Sequence, residues 1–158
     1  MVSALCTPNA LVSRFNFHLP KPIREKYYIL KDASLNMNLE ADKFREFLGI
    51  EVLEVREGYA RVKGVVGENN LNFHRTAHGS YIMALADAAF ALAANSDGRV
   101  RVALSIKVDF YKPAFEGEEL IGEAEATKKG RIMFCDLRIT RNGELIAKGD
   151  AIAVAVEK

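Results

Sequence analysis

The chain has 158 residues, 49% of them hydrophobic and 27% charged, which excludes disorder, collagen-like repeats and a second well-cored domain. Its 22 Lys and Arg against 21 Asp and Glu leave a net charge of +1, so no overall field draws nucleic acid or an anionic membrane. Cys6 and Cys135 are the only cysteines, too few for a disulfide framework and without the C-x-x-C spacing that holds zinc, and no run approaches the roughly 20 apolar residues that span a bilayer. No apolar run precedes a small-residue cleavage site either, so a cytoplasmic protein without a metal is expected.

Residues 1–37 read as an N-terminal extension and 38–158 as the folded domain. Pro8, Pro20 and Pro22 interrupt the extension, and Arg14, Lys21, Arg24, Lys26 and Lys31 make it basic without helical or alternating periodicity. Its Phe15, Phe17, Tyr27 and Tyr28 offer surface for packing on the body, and a start at Met37 leaves an equally complete domain. Asn38 as N-cap, Glu40 and Asp42 in the first turn and Gly49 at the end predict a helix from Leu39 to Leu48, with Phe44, Phe47 and Leu48 on its buried side. Alternating segments at 50–56 and 59–66, separated by Glu57 and Gly58, predict a hairpin.

Gly79 to Asn95 reads as the main helix. From Tyr81 to Ala94 its only charged residue is Asp87 and seven positions are alanine, the composition of a helix buried on every side. Four strands are predicted after it, at 100–112, 120–128, 131–141 and 145–156, with turns at Gly117, Lys129-Gly130 and Asn142-Gly143. In the first of these, Val100, Val102, Leu104, Ile106, Val108 and Phe110 are expected to face the core and Arg101, Ser105, Lys107 and Asp109 the solvent. The helix is comparable in length to the strands, so an antiparallel sheet of about five strands can wrap it, an α+β architecture.

Asp87 is the first candidate for chemistry, because a carboxylate in an uncharged helical environment has a raised pKa suited to a general base. The competing reading places it on a narrow exposed strip. Just upstream, Asn72, His74, His78 and Gly79 gather where the chain enters the helix, and a helix N-terminus with a glycine presents free N–H groups to a developing oxyanion. Gly79 and Asp87 are eight residues apart, about 12 Å along one helix, too far to serve a single carbonyl. Two antiparallel helices in a two-fold dimer would bring Asp87 of one subunit beside Gly79 of the other.

The run from Asn72 through His78-Gly79-Ser80, then Leu85-Ala86-Asp87-Ala88-Ala89-Phe90-Ala91 and Asn95, then Val102-Ala103-Leu104-Ser105 and Asp109-Phe110-Tyr111-Lys112-Pro113, resembles the hotdog-fold acyl-CoA thioesterases of the phenylacetic-acid-degradation (PaaI-like) type. The resemblance runs from about Leu39 to Val156 and implies a hotdog fold, an antiparallel sheet around one long helix. It also implies a homodimer, often paired into a homotetramer, and hydrolysis of acyl-CoA with no cofactor beyond the substrate's own coenzyme A. It further implies that Asp87 is the base or nucleophile, that the Gly79 N–H polarises the thioester carbonyl, that Asn72 orients water or substrate, and that His78 holds the loop and helix start. Ser80, where relatives carry a second Gly, and Arg75, where they carry a smaller residue, bear on substrate choice.

Lys128, Lys129 and Arg131 flank a glycine turn and can meet the CoA phosphates or simply be solvated. His74 has no partner at metal-ligand spacing, Ser105 lacks a nucleophile-elbow setting, and Cys135, Tyr81, Met83 and Phe90 read as core. The substrate is expected to be an aromatic acyl-CoA such as phenylacetyl- or hydroxyphenylacetyl-CoA, or a short- to medium-chain one. The alternative is an acyl-CoA-binding regulatory protein without turnover. No nucleic acid or membrane partner is expected.

Overall fold

The computed structural model describes residues 37–128 and 130–156, the Lys128 side chain excepted, so all of the extension but Met37 lies outside the described residues. Six strands, β1 (Glu51–Arg56), β2 (Tyr59–Val65), β3 (Arg101–Phe110), β4 (Glu119–Lys128), β5 (Ile132–Arg141) and β6 (Glu144–Ala155), form one antiparallel sheet in the order β1-β2-β4-β5-β6-β3. One long helix, α2 (Gly79–Ala94), packs mainly on β2, β4 and β5, and this is the expected α+β hotdog arrangement. Turns fall where positive-φ residues permit them, at Gly58, Gly117 and Asn142-Gly143.

Two glycines let α2 lie close to the sheet. A Cβ at Gly122 would stand 3.0 Å from the Leu85 carbonyl oxygen, and one at Gly64 would collide with the Tyr81 hydroxyl. Around them Leu85, Phe90, Val62, Leu120, Met133, Leu137 and Ile139 close the core. Cys135 lies in it as expected, and burial pushes its thiol up to about 11. A negatively charged thiol reagent at pH 8 is therefore expected to leave Cys135 unmodified in the native protein and to label it after unfolding, as peptide mass spectrometry would record.

Three expectations are corrected. The predicted first helix is shorter, a 3₁₀ turn at Leu39–Ala41 capped by Asn38 and then α1 (Lys43–Phe47) capped by Asp42. Phe44 and Phe47 are 66% and 83% exposed, because the inner face of α1 is taken by Arg45, whose guanidinium donates to the carbonyls of Ile50 (2.6 Å) and Leu39 (2.9 Å). Second, α2 is not buried on every side: Ser80, Asp87 and Ala91 form an exposed stripe at helical spacing, the strip reading of Asp87. Third, a bulge between Ala103 and Ser105 breaks the alternation of β3. The register with β6 puts Val102 on the same face as Ser105, Lys107 and Asp109, and turns Arg101 inward.

The buried Arg101 caps the far end of α2. It donates to the Ala94 carbonyl (2.7 Å), to both oxygens of Asp97 (2.6 and 2.8 Å) and to the Gly130 carbonyl (2.9 Å), tying the helix C-terminus to the β4–β5 turn.

Candidate active site

The start of α2 is built by the loop before it. An isolated bridge between Leu71 and Ala77 closes the loop, and Asn72 fills it: its N–H donates to the Thr76 carbonyl (2.8 Å), its Oδ1 accepts from the N–H groups of His74 (2.8 Å) and Thr76 (3.2 Å), and its Nδ2 donates to Thr76 Oγ1 (2.9 Å). Asn72 thus shapes the loop with every polar atom it has. Arg75 sits at φ 60°, in the left-handed region that a smaller or Gly residue adopts more easily, with its side chain exposed. His74 is exposed beside the ring of Phe73, which is itself 89% exposed.

His78 is the N-cap of α2. Its Nδ1 accepts the Ser80 N–H (3.1 Å) and lies 2.7 Å from Ser80 Oγ, while its carbonyl accepts the N–H groups of Tyr81 (2.9 Å) and Ile82 (3.3 Å). Of the four amides that a helix start leaves without a partner inside the helix, those of residues 78–81, three are satisfied, since the His78 N–H also donates to the Asn70 carbonyl (2.7 Å). Among the described residues the Gly79 N–H has no acceptor. A helix N-terminus with one free N–H concentrates its partial positive charge there.

Gly79 lines a shallow groove of about 320 Å³ whose walls include Ala77, Ile82, Phe110, Tyr111 and Pro113. The Phe110 ring lies 3.5 Å from where a Gly79 Cβ would stand, so Gly79 is the gap between helix and aromatic wall. Phe110, Tyr111 and Lys112 at this groove were not singled out for a role by the sequence; the aromatic-x-Pro ending of β3 was the available signal.

Asp87 lies two turns further along α2 on the exposed stripe. Its carboxyl pKa is raised, first because the neighbouring helix and sheet shield part of the carboxyl from water and second because the Asp42 carboxylate repels it. Gly79 and Asp87 are on one helix and about 12 Å apart along its axis. The β4–β5 turn is more distant still. Gly130 is held by Arg101 at the C-terminal end of α2, an end about 22 Å along the helix axis from Gly79; Arg131 there is exposed, and Lys129 and the Lys128 side chain lie outside the described residues. One chain brings Asn72, Arg75, His78, Gly79 and Ser80 together, and leaves Asp87 and the basic turn apart from them.

Residues 74–147 match the model of the thioesterase superfamily. An Archaeoglobus fulgidus protein described as a putative esterase is 44% identical over 89 residues, 56% of this chain and 58% of that protein. Escherichia coli acyl-coenzyme A thioesterase PaaI is 38% identical over 92 residues, 58% of this chain and 66% of that protein, so the chain spans about three fifths to two thirds of these two curated relatives. The solved structure of E. coli PaaI, from the phenylacetic acid degradation operon, superposes with a TM-score of 0.73 at 32% identity, covering 75% of this chain and 87% of that one. A hypothetical thioesterase from Streptococcus pneumoniae, solved with coenzyme A, gives a TM-score of 0.66 at 25% identity over 69% of this chain and 87% of that one.

Proposed function

This chain belongs to the PaaI-like thioesterases of the thioesterase superfamily, and we propose that it hydrolyses acyl-CoA thioesters to the free acid and CoA. The observation that carries the reading is the open stripe of α2, with an unpartnered Gly79 N–H at its start and a carboxylate of raised pKa two turns later. The Gly79 N–H polarises the thioester carbonyl and holds the oxyanion of the tetrahedral intermediate. Asp87 removes a proton from the attacking water; as the new C–O bond forms and the C–S bond breaks, the proton returns to the departing thiolate. A thiolate leaves readily, so no strong acid is required. Direct attack by the Asp87 carboxylate, through an anhydride that water then opens, uses the same two groups. The acid released is aromatic or short- to medium-chain, and the aromatic wall of Phe110 and Tyr111 favours the aromatic class.

The separation of Gly79 and Asp87 is bridged by a second copy. β3 is an edge of the sheet, ten residues long, and Val102 and Leu104 on it and Val100 just before it are exposed. Such an edge is a template for strand pairing. A two-fold axis beside β3, normal to the sheet, pairs β3 with its copy and sets the two α2 helices antiparallel on one face, so that each Gly79 approaches Asp87 of the partner subunit. The same operation carries the partner's β4–β5 turn toward the Gly79 end, where Arg131 and its neighbours can meet CoA phosphates, while Arg75 and Ser80 border the entrance. Pairing of two such dimers gives the homotetramer.

The test is thiol release from phenylacetyl-, hydroxyphenylacetyl-, benzoyl- and graded aliphatic CoA esters, with protein concentration varied across the dissociation range of the assembly. Turnover is expected for the aromatic esters, with specific activity falling as the protein is diluted into monomers. Full activity in the monomer overturns the composite site; CoA ester binding without turnover of any ester assigns the protein to the regulatory class.

A further inference from the structure

Four charged side chains near the groove have no part in the chemistry above. Arg141, at the end of β5 and only part-buried, donates from Nη1 to the Pro113 carbonyl (3.1 Å) and to Glu118 Oε2 (2.8 Å), and from Nη2 to Glu144 Oε2 (2.5 Å). Glu118 Oε2 also accepts the Phe115 N–H (2.8 Å), and Lys112 pairs with Glu144 from the other side. The planar fork of one guanidinium thus fastens three separate points of chain.

What those points carry connects them to the reaction. The loop from Pro113 to Glu118 follows β3, and the carbonyl of Ala114, the residue after the one Arg141 holds, accepts the Ala77 N–H at 2.7 Å. Ala77 is two residues before Gly79, and Pro113 and Tyr111 are walls of the groove. The other end of the loop is anchored to Val66, the residue after β2, by Gly117 N–H to Val66 O (2.8 Å) and Val66 N–H to Glu118 O (2.9 Å). A continuous run of bonds therefore leads from the guanidinium through Pro113 and Ala114 to the backbone that presents the free amide.

We propose that Arg141 is a positioning residue for thioester hydrolysis: by holding the Pro113–Glu118 loop it fixes the groove wall and the Ala77–Gly79 backbone, and so the aim of the Gly79 N–H. The inference rests on the thioesterase reading. Ion pairs this close to solvent add little to stability, whereas a displacement of about 1 Å at an oxyanion donor costs up to about 10²-fold in rate.

The experiment compares wild type with Arg141→Met, which keeps length and loses all three bonds, and Arg141→Lys, which reaches one acceptor. For each, kcat and KM for a CoA thioester, the melting temperature and the hydrogen exchange of the Ala77 amide are measured. In Arg141→Met, kcat is expected to fall about tenfold or more with a smaller change in KM, and Ala77 to exchange faster while the fold is retained. Arg141→Lys should fall between the two. Unchanged kcat, a change in KM alone, or loss of activity only in step with unfolding in both variants overturns the assignment. If wild type turns over no thioester the thioesterase reading fails by itself; the fastening is still decided by Ala77 exchange, upheld if faster in Arg141→Met and overturned if unchanged.

Discussion

Replacing Asp87 with Asn is expected to lower acyl-CoA turnover by about 10²-fold or more while leaving binding of the ester within a few-fold of wild type. Asn has the shape of Asp and keeps one acceptor oxygen, with an NH2 donor in place of the other, yet it can neither take a proton from water nor attack as a carboxylate. Steady-state thiol release gives the first quantity, and titration with a non-hydrolysable acyl-CoA gives the second. Equal turnover in the two proteins would remove Asp87 from the mechanism, and loss of binding would make it a substrate contact.

The variant also carries its own fold control. The raised pKa of Asp87 means that its folded carboxyl binds a proton more readily than the unfolded one. Ionised Asp87 therefore costs stability, a cost absent below the unfolded carboxyl pKa and complete once pH has risen above the folded one. At neutral pH Asp87→Asn should melt at the wild-type temperature or slightly above it. The same shift sets the pH profile. A base works ionised, so kcat/KM should fall on the acid side with an apparent pKa above that of an ordinary aspartate, and Asp87→Asn should lose this limb.

How these expectations were legible in the sequence differs from residue to residue. Strand alternation and turn glycines located all six strands to within one or two residues, because both signals are local. The open stripe of α2 was hidden by alanines, which suit a core and a surface equally and so carry no facing information. The bulge in β3 was hidden because its sequence alternates without interruption, and only the pairing with β6 reveals the extra residue. Phe44 and Phe47 misled for a related reason: helical periodicity identifies a face, but the carbonyls of Leu39 and Ile50 decided that the inward one belongs to Arg45. At the site, Gly79 and Asp87 stood out through their chemistry, a glycine at a helix start and a lone carboxylate among alanines. The hold of His78 on the helix start was implied by the resemblance, and the coordinates add its Nδ1 cap bond; Asn72 as loop former needed coordinates, and Arg101 and Arg141 more so. The partners of a long guanidinium lie up to 29 residues away in sequence, and no spacing rule reaches that far.

Asp97→Ala is expected to cost about 3–5 kcal/mol of stability, a larger effect on the fold than any change in the groove, because it leaves a buried guanidinium without its counter-charge. The Arg101 side chain is 0% exposed against 19% for Asp97, so the arginine cannot turn to water when its partner is removed. Its Nε already lacks a hydrogen-bond partner, and the remaining carbonyls of Ala94 and Gly130 supply dipoles but no charge. Arg101→Met should cost less, since it removes the buried charge, keeps most of the volume and leaves an Asp97 carboxylate that water can reach. Thermal or urea denaturation of the two variants checks the order. For a domain of this size the Asp97→Ala loss corresponds to a fall in Tm of about 10 °C. The pair also sets an acid limit. Its hydrogen bonds to Arg101, followed by that to the Arg99 N–H, hold the Asp97 pKa below the usual carboxylate range. A depressed folded pKa gives stability that is complete above the unfolded value and lost as pH falls through the folded one, so wild type should lose stability below about pH 4 and Arg101→Met should lose less over the same interval. Melting temperatures that fall equally in both proteins would show that the acid sensitivity arises elsewhere.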